Sequence, residues 1–200
     1  MKKSLPTSHR VRIIAGYWRS RLVEIVDISG LRPTTDRVRE TVFNWLNPYI
    51  DQAKVIDLFA GTGILGLEAC SRGAKEIQFI EKNVSVFKAL KDNLIKLQPA
   101  PPSSSVKCTH LNAIDWLMAQ NEIDADIIFI DPPFDQIDLL EQSLQLLLSK
   151  IKRNYSPIIY VESSSKLENV RFLQCINGWV VEKELVAGAV RANLLKLDKQ

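Results

Sequence analysis

The sequence predicts an α/β protein built on a doubly wound, mostly parallel sheet. Three observations carry this. Strand-length apolar runs alternate with helix-length amphipathic segments from residue 54 onward. Some of those runs are near-continuously apolar, as in Ile-Ile-Phe-Ile at 127–130, which suits strands covered on both faces. A glycine-rich loop joins the first such run to the first such helix.

Before the alternation begins, residues 11–16 and 21–26 read as two strands joined across Tyr17-Trp18-Arg19-Ser20, a hairpin. Asp36 is placed to cap a helix running to about Leu46. Val38, Val42, Trp45 and Leu46 then share one face, and Pro48 marks the end. Strand candidates follow at 54–59, 76–81, 106–111, 126–131 and 157–162. The helix candidates between them are 64–72, 84–97, 114–120 and 137–151. Residues 98–105, with three prolines and three serines, form a surface loop within the alternation. Two last strands, 179–184 and 191–197, flank Ala187-Gly188, and so short a connection favours an antiparallel pair. The expected organisation is a basic hairpin and helix at 1–50 appended to a domain at 51–200.

At 200 residues, 46% hydrophobic and 24% charged, the chain suits one domain with a large core. Three scattered cysteines (Cys70, Cys108, Cys175) and two histidines give no metal-ligand spacing, so no metal is expected. The sparse, odd cysteine count fits a reducing compartment. The basic N-terminus lacks the apolar run of a signal peptide, and no stretch is long enough to span a bilayer. A soluble, cytoplasmic protein is expected.

Charge is uneven. Residues 1–40 carry nine Lys/Arg against four acids, or +5, whereas the remaining 160 residues carry 17 against 19, or −2. A basic arm on a near-neutral body points to a polyanion such as nucleic acid, although a solvated surface gives the same count. Tyr17 and Trp18 lie among these arginines and could stack on bases or fill the core face of the hairpin.

Asp57-Leu-Phe-Ala-Gly61-Thr-Gly63-Ile-Leu-Gly66 follows the first parallel strand and opens a helix. Its glycines permit a tight turn and close approach of a ligand, and Gly66 lets the helix pack against the strand. Glu81 ends the next strand, where a carboxylate can accept from both hydroxyls of a ribose. An acid at Asp57 would repel a pyrophosphate but suits a ligand with an ammonium group. S-adenosylmethionine is therefore favoured and NAD is not excluded. Asp131-Pro-Pro-Phe134 ends the fourth parallel strand. Prolines donate no sheet hydrogen bond, so their carbonyls remain acceptors. Acceptors beside the flat face of Phe134 suit a planar base with an exocyclic amine.

These residues resemble the RsmD family of bacterial small-subunit ribosomal RNA guanine-N2 methyltransferases. The resemblance spans about residues 10–197. It is most specific in Arg12-Ile-Ile-Ala-Gly-Tyr-Trp18-Arg, Gly30-Leu-Arg-Pro-Thr-Thr-Asp-Arg-Val-Arg-Glu-Thr41, the loop from Asp57 to Gly63, Leu67-Glu-Ala, and Asp131-Pro-Pro-Phe134. It implies a Rossmann-like class I methyltransferase with a seven-stranded, mostly parallel sheet, an antiparallel last strand and an N-terminal hairpin and helix. It further implies methyl transfer from S-adenosylmethionine to the 2-amino group of one guanine in 16S rRNA, of the guanine(966) type, in the small subunit or an assembly intermediate. Asp131, Pro132 and Phe134 would act on the base. Asp57, Phe59, Gly61, Gly63, Glu81, Asn112, Ala113 and Asp131 would hold the cofactor. Arg10, Arg12, Arg19, Arg21, Arg32, Arg37 and Arg39 would meet RNA. Two departures are visible: Ala187-Gly-Ala189-Val190 where the family has Ala-Gly-Gln-Val, and Asn112 where many members have Asp. The alternatives are a DNA or other RNA amino-methyltransferase, an NAD-dependent oxidoreductase, and a non-catalytic RNA-binding module on this fold.

Overall fold

A computed structural model describes residues 8–26, 35–152, 155–167, 172, 174–176 and 178–198. The expected contact Arg32 lies outside these residues. Strands β1 (Ser8–Arg12) and β2 (Leu22–Val26) pair antiparallel as the predicted hairpin, with Arg10 opposite Glu24.

Helix α1 (Asp36–Ile50) departs from expectation at both ends. Thr35, not Asp36, is the cap, and its Oγ1 accepts the Val38 N–H. Pro48 lies inside the last turn rather than ending the helix. Its missing N–H removes one bond of the ladder, the one to the carbonyl four residues back. The apolar stripe that reaches Leu46 continues four residues on to buried Ile50, so packing carries the helix past the proline.

The alternation then appears as expected, with ends moved by one or two residues in most elements: β3 (Lys54–Asp57), α2 (Ile64–Ser71), β4 (Glu76–Glu81), α3 (Val84–Lys96), β5 (Ser105–His110), α4 (Ala113–Ala119), β6 (Ile127–Ile130), α5 (Ile137–Lys150), β7 (Ile158–Ser164), β8 (Trp179–Ala187) and β9 (Val190–Leu197). The last seven strands form one sheet in the order β5-β4-β3-β6-β7-β9-β8. β9 alone runs opposite to the other six strands of this sheet. The winding direction reverses between β3 and β6, so their carboxyl ends open a crevice where ligands bind in such sheets.

Apolar side chains pack on both faces. One cluster joins the hairpin (Ile13, Trp18, Val23) and α1 (Val42, Phe43, Leu46) to α2 and to Phe129 and Tyr160 of the sheet. The other packs α4 (Trp116, Leu117) and α5 (Leu140, Leu144, Leu147) on Ile128, Ile130, Ile159 and Val161. The hairpin thus shares a continuous core with the sheet domain. No helix among the described residues is long and apolar enough to cross a membrane. None of their His, Cys, Asp or Glu side chains groups to hold a metal ion.

The hairpin is stitched to α2. Glu68, fully buried, accepts the backbone N–H groups of Ile14 and Ala15 at 2.7 and 3.0 Å. The Tyr17 N–H donates to the Ser71 carbonyl and the Trp18 N–H to Ser71 Oγ. Gly16 sits at φ +83°, and a Cβ there would come within 1.8 Å of the Ser71 carbonyl oxygen.

Candidate active site

The glycine loop runs from the end of β3 into α2. Gly61 and Gly63 take φ of +55° and +94°, the left-handed region that favours glycine. A Cβ on Gly61 would meet nothing within 4 Å, so the loop leaves open space above it. Gly66 has the opposite character. A Cβ there would lie 2.3 Å from Phe79 of β4, which is the close helix–strand packing its spacing predicts.

Glu81 closes the loop from the side. Its Oε2 accepts the Gly61 N–H at 2.9 Å and its Oε1 the Asn83 N–H at 2.7 Å. Burial raises its pKa, and these two N–H donors pull it back down. The carboxylate stays half-exposed at the rim, able to accept further hydrogen bonds from a ligand.

Asp57 is placed differently from expectation. It is 1% exposed, and its Oδ2 accepts the Gly66 N–H at 3.2 Å beneath the loop. Burial, with Glu81 adding to it, pushes its pKa up to about 7 against the Gly66 and Phe59 N–H groups. Asp57 therefore supports the loop from below through one of its two carboxylate oxygens. Phe59 is half-buried beside it.

Asn112 caps α4. Its Oδ1 accepts the Asp115 N–H at 2.9 Å, its Nδ2 donates to the Asp115 carboxylate, and Ala113 is buried as the first residue of the helix. The carbonyl keeps a second lone pair for a ligand amine.

Asp131 follows β6 directly. The parallel register pairs Phe129 with Tyr160 and Ile130 with Val161, so Asp131 lies beside Glu162 at the carboxyl ends of β6 and β7. Asp57 pairs in register with Phe129, which places all three acids on one face of the sheet. Burial, Glu162 and Asp57 together raise the Asp131 pKa well above the ordinary carboxyl range. Pro132 is buried, Phe134 is half-buried, and both line a small cleft with Glu162, Ser163, Ser164 and Leu167. The Ser163 hydroxyl is buried there without a partner.

The arginines divide. Arg10, Arg12, Arg19 and Arg37 are exposed. Among the described residues Arg10 and Arg12 make long ion pairs, to Glu24 at 3.8 Å and to Asp36 at 3.5 Å. Arg39 does not fit the expected surface role: it is fully buried, with its guanidinium 2.7 Å from Asp36 and 3.8 Å from Glu68. Arg21 is also otherwise employed. Its guanidinium donates to the carbonyls of Lys96, Leu97 and Gln98, where α3 leaves its last C=O groups unpaired. Trp18 fills the core, 1% exposed, and donates its indole N–H to the Pro99 carbonyl, whereas Tyr17 is 52% exposed.

This loop, the acid at the end of β4 and the Asp131-Pro-Pro-Phe134 turn at the switch point of a seven-stranded sheet define a class I S-adenosylmethionine-dependent methyltransferase. The chain belongs to the family described as "Conserved hypothetical protein 95", which it matches over residues 11–196 and which is the RsmD family. It is 42% identical over 193 residues to "Ribosomal RNA small subunit methyltransferase D" of Escherichia coli, covering 96% of this chain and 93% of that one. The protein of the same name from Haemophilus influenzae is 41% identical over 185 residues, covering 92% of each. The solved structure of the Escherichia coli protein yhhF superposes with a TM-score of 0.80 at 40% identity, covering 96% of this chain and 100% of that one.

The sequence reading assigns no role to Glu162 or Tyr160, and Glu68 enters it only within the Leu67-Glu-Ala stretch. Tyr160 and Glu162 share a strand face by parity, the one local signal available.

Proposed function

We propose that this methyltransferase acts on 16S rRNA of the small ribosomal subunit, at the 2-amino group of a guanine of the position-966 type. The observation that carries the reading is the Asp131–Phe134 turn, which sets two acceptors and an aromatic face at the mouth of the cofactor crevice. The names of the RsmD relatives support the RNA, and the exposed arginines of the hairpin and α1 support a polyanion.

The residues present fit the cofactor. Open space above Gly61, the half-exposed Glu81 carboxylate and the free lone pair of Asn112 supply room, a ribose acceptor and an acceptor for the adenine amine. When bound, S-adenosylmethionine supplies an electrophilic methyl group on a sulfonium. The protein has to orient the amine, whose lone pair is otherwise delocalised into the base. The Asp131 carboxylate and the Pro132 carbonyl accept its two hydrogens and turn the lone pair toward the methyl group. Phe134 stacks on the base, a contact worth about 1–3 kcal/mol. Positioning of this kind removes several kcal/mol of barrier. The proton that the methylated amine must lose passes to Asp131, whose raised proton affinity suits it to receive one. A paired guanine must first leave its stack.

The test is methylation of isolated 16S rRNA and of small subunits with labelled cofactor, followed by mapping of the modified nucleotide. N2-methylguanine at a single site is expected. Label on adenine N6, or on DNA in preference to RNA, would overturn the reading.

A further inference from the structure

Asn93 lies on α3, 1% exposed, among apolar positions such as Leu90 and Leu97. A buried amide in such surroundings is tolerated only when its hydrogen bonds are made. Three are made here, and all go to backbone of other segments. Its Oδ1 accepts the Glu24 N–H at 3.0 Å. Its Nδ2 donates to the Glu24 carbonyl at 2.9 Å and to the Thr62 carbonyl at 3.1 Å. The amide thus serves Glu24 as a neighbouring strand would, while holding the centre of the glycine loop.

Glu24 is the register partner of Arg10 across the hairpin, and its carboxylate faces Arg10 at 3.8 Å and Lys96 at 3.0 Å. The path from an exposed arginine to the cofactor loop is therefore short: Arg10, Glu24, Asn93, Thr62. The loop also leans on α3 elsewhere, since a Cβ on Gly63 would come within 2.4 Å of Leu90 Cδ1.

We propose that Asn93 is a positioning residue that couples RNA docking on the hairpin to cofactor binding in the glycine loop. The inference rests on reading the hairpin as an RNA-binding surface. RNA that holds Arg10 fixes β1 and, through the backbone ladder that pairs Arg10 with Glu24, fixes β2 at Glu24. Glu24 fixes the Asn93 amide, and the amide fixes the Thr62 carbonyl. The cofactor then meets a loop already ordered, and less of its binding energy is spent on ordering. Such coupling is reciprocal, so the cofactor tightens RNA by the same factor.

The experiment is titration calorimetry of S-adenosylhomocysteine with the full chain, alone and with saturating 16S rRNA transcript. The product analogue avoids turnover. In the unaltered protein RNA is expected to tighten the analogue about fivefold or more. In Asn93→Ala the factor is expected to fall close to one while each ligand still binds alone. Asn93→Asp, which keeps an acceptor for the Glu24 N–H and loses the donors to the Thr62 and Glu24 carbonyls, is expected to do the same and serves if the alanine variant does not fold. A purely structural role would lower the melting temperature and weaken both ligands without changing their ratio. A factor of one in the unaltered protein, or an unchanged factor in a folded Asn93 variant, would overturn the coupling. Arg10→Glu distinguishes the two levels. If RNA affinity is unchanged there, the hairpin reading fails and the coupling with it. If RNA affinity falls there yet Asn93→Ala keeps the factor, only the coupling fails.

Discussion

Tyr160 donates its hydroxyl hydrogen to Glu162 Oε2 at 2.7 Å, on the face of β7 that looks along the sheet to Asp131. Both are buried, at 0% and 1% exposure, and the tyrosine pKa is driven well above its usual value by burial, Glu162 and Asp131. The charged neighbours that bear on Asp131 are Glu162 and Asp57, and both raise its proton affinity. Removing one negative charge lowers it. Glu162→Gln should therefore move the acid limb of the pH–rate profile to lower pH while methyl transfer persists, because Gln can still accept from Tyr160. An unmoved limb would separate Glu162 from the chemistry.

Asp57 offers a stability test. Its folded pKa of about 7 lies above the ordinary 3.8, so the folded state binds its proton more tightly than the unfolded chain. The stability linked to this group is fully present below about pH 4 and is lost as pH rises through 7. Asp57→Asn removes that dependence and keeps an acceptor for the Gly66 N–H. Melting temperatures at pH 5 and pH 8 should lie closer together in the variant than in the parent. An equal or larger gap would show that the carboxyl titrates normally.

Gly66→Ala should destabilise by about 1–3 kcal/mol in urea unfolding, the usual range for overpacking a close contact. The added methyl would press on the fully buried Phe79 ring, so either the ring or α2 has to shift. Wild-type stability would mean that Phe79 swings aside.

The glycine loop, the turn after β6 and the strand–helix order were legible because each is written in local spacing. Pro48 misled because packing of Ile50 acts from outside the helix. Arg39 was read with its basic neighbours, yet it stands beside Val38 and one turn before Val42 and Phe43 on the buried face of α1. Its guanidinium meets Asp36 one turn earlier at 2.7 Å, the Arg12 carbonyl at 3.0 Å and Glu68 at 3.8 Å, and no local pattern announces the last two, which lie 27 and 29 residues away. Arg21 likewise carries no local sign of the contacts it makes. Its partners are backbone carbonyls at the end of a helix formed 75 residues later.

Glu68 makes that long-range pairing measurable. It takes Arg72 at 2.8 Å, faces Arg39 at 3.8 Å, and accepts two N–H groups of the hairpin. Removing one member of a buried ionic group strands the others, at a cost of about 3–5 kcal/mol. Glu68→Ala should lose about that much in denaturant unfolding and should loosen the hairpin, seen as faster amide exchange at Ile14 and Ala15. A loss under about 1 kcal/mol would show that Glu68 does not hold the hairpin.

The last prediction separates arginines that meet RNA from those that hold the fold. Arg10, Arg12, Arg19 and Arg37 are exposed and, among the described residues, make no short ion pair, so each can exchange its present surroundings for a phosphate. Each phosphate contact removed lowers the slope of log affinity against log salt by about 0.7–0.9. Arg10→Glu with Arg19→Glu should thus weaken RNA binding and flatten the salt slope by up to about 1.8, with melting temperature within a few degrees of the parent. Arg21→Glu should behave in the opposite way. It loses three carbonyl contacts at the end of α3 and puts an acid among the C=O groups there, so the melting temperature falls. Salt titrations of RNA affinity beside thermal unfolding decide the matter. An unchanged slope in the Arg10/Arg19 variant would make those charges solubilising only, and an undisturbed melt in Arg21→Glu would return Arg21 to the RNA-facing set.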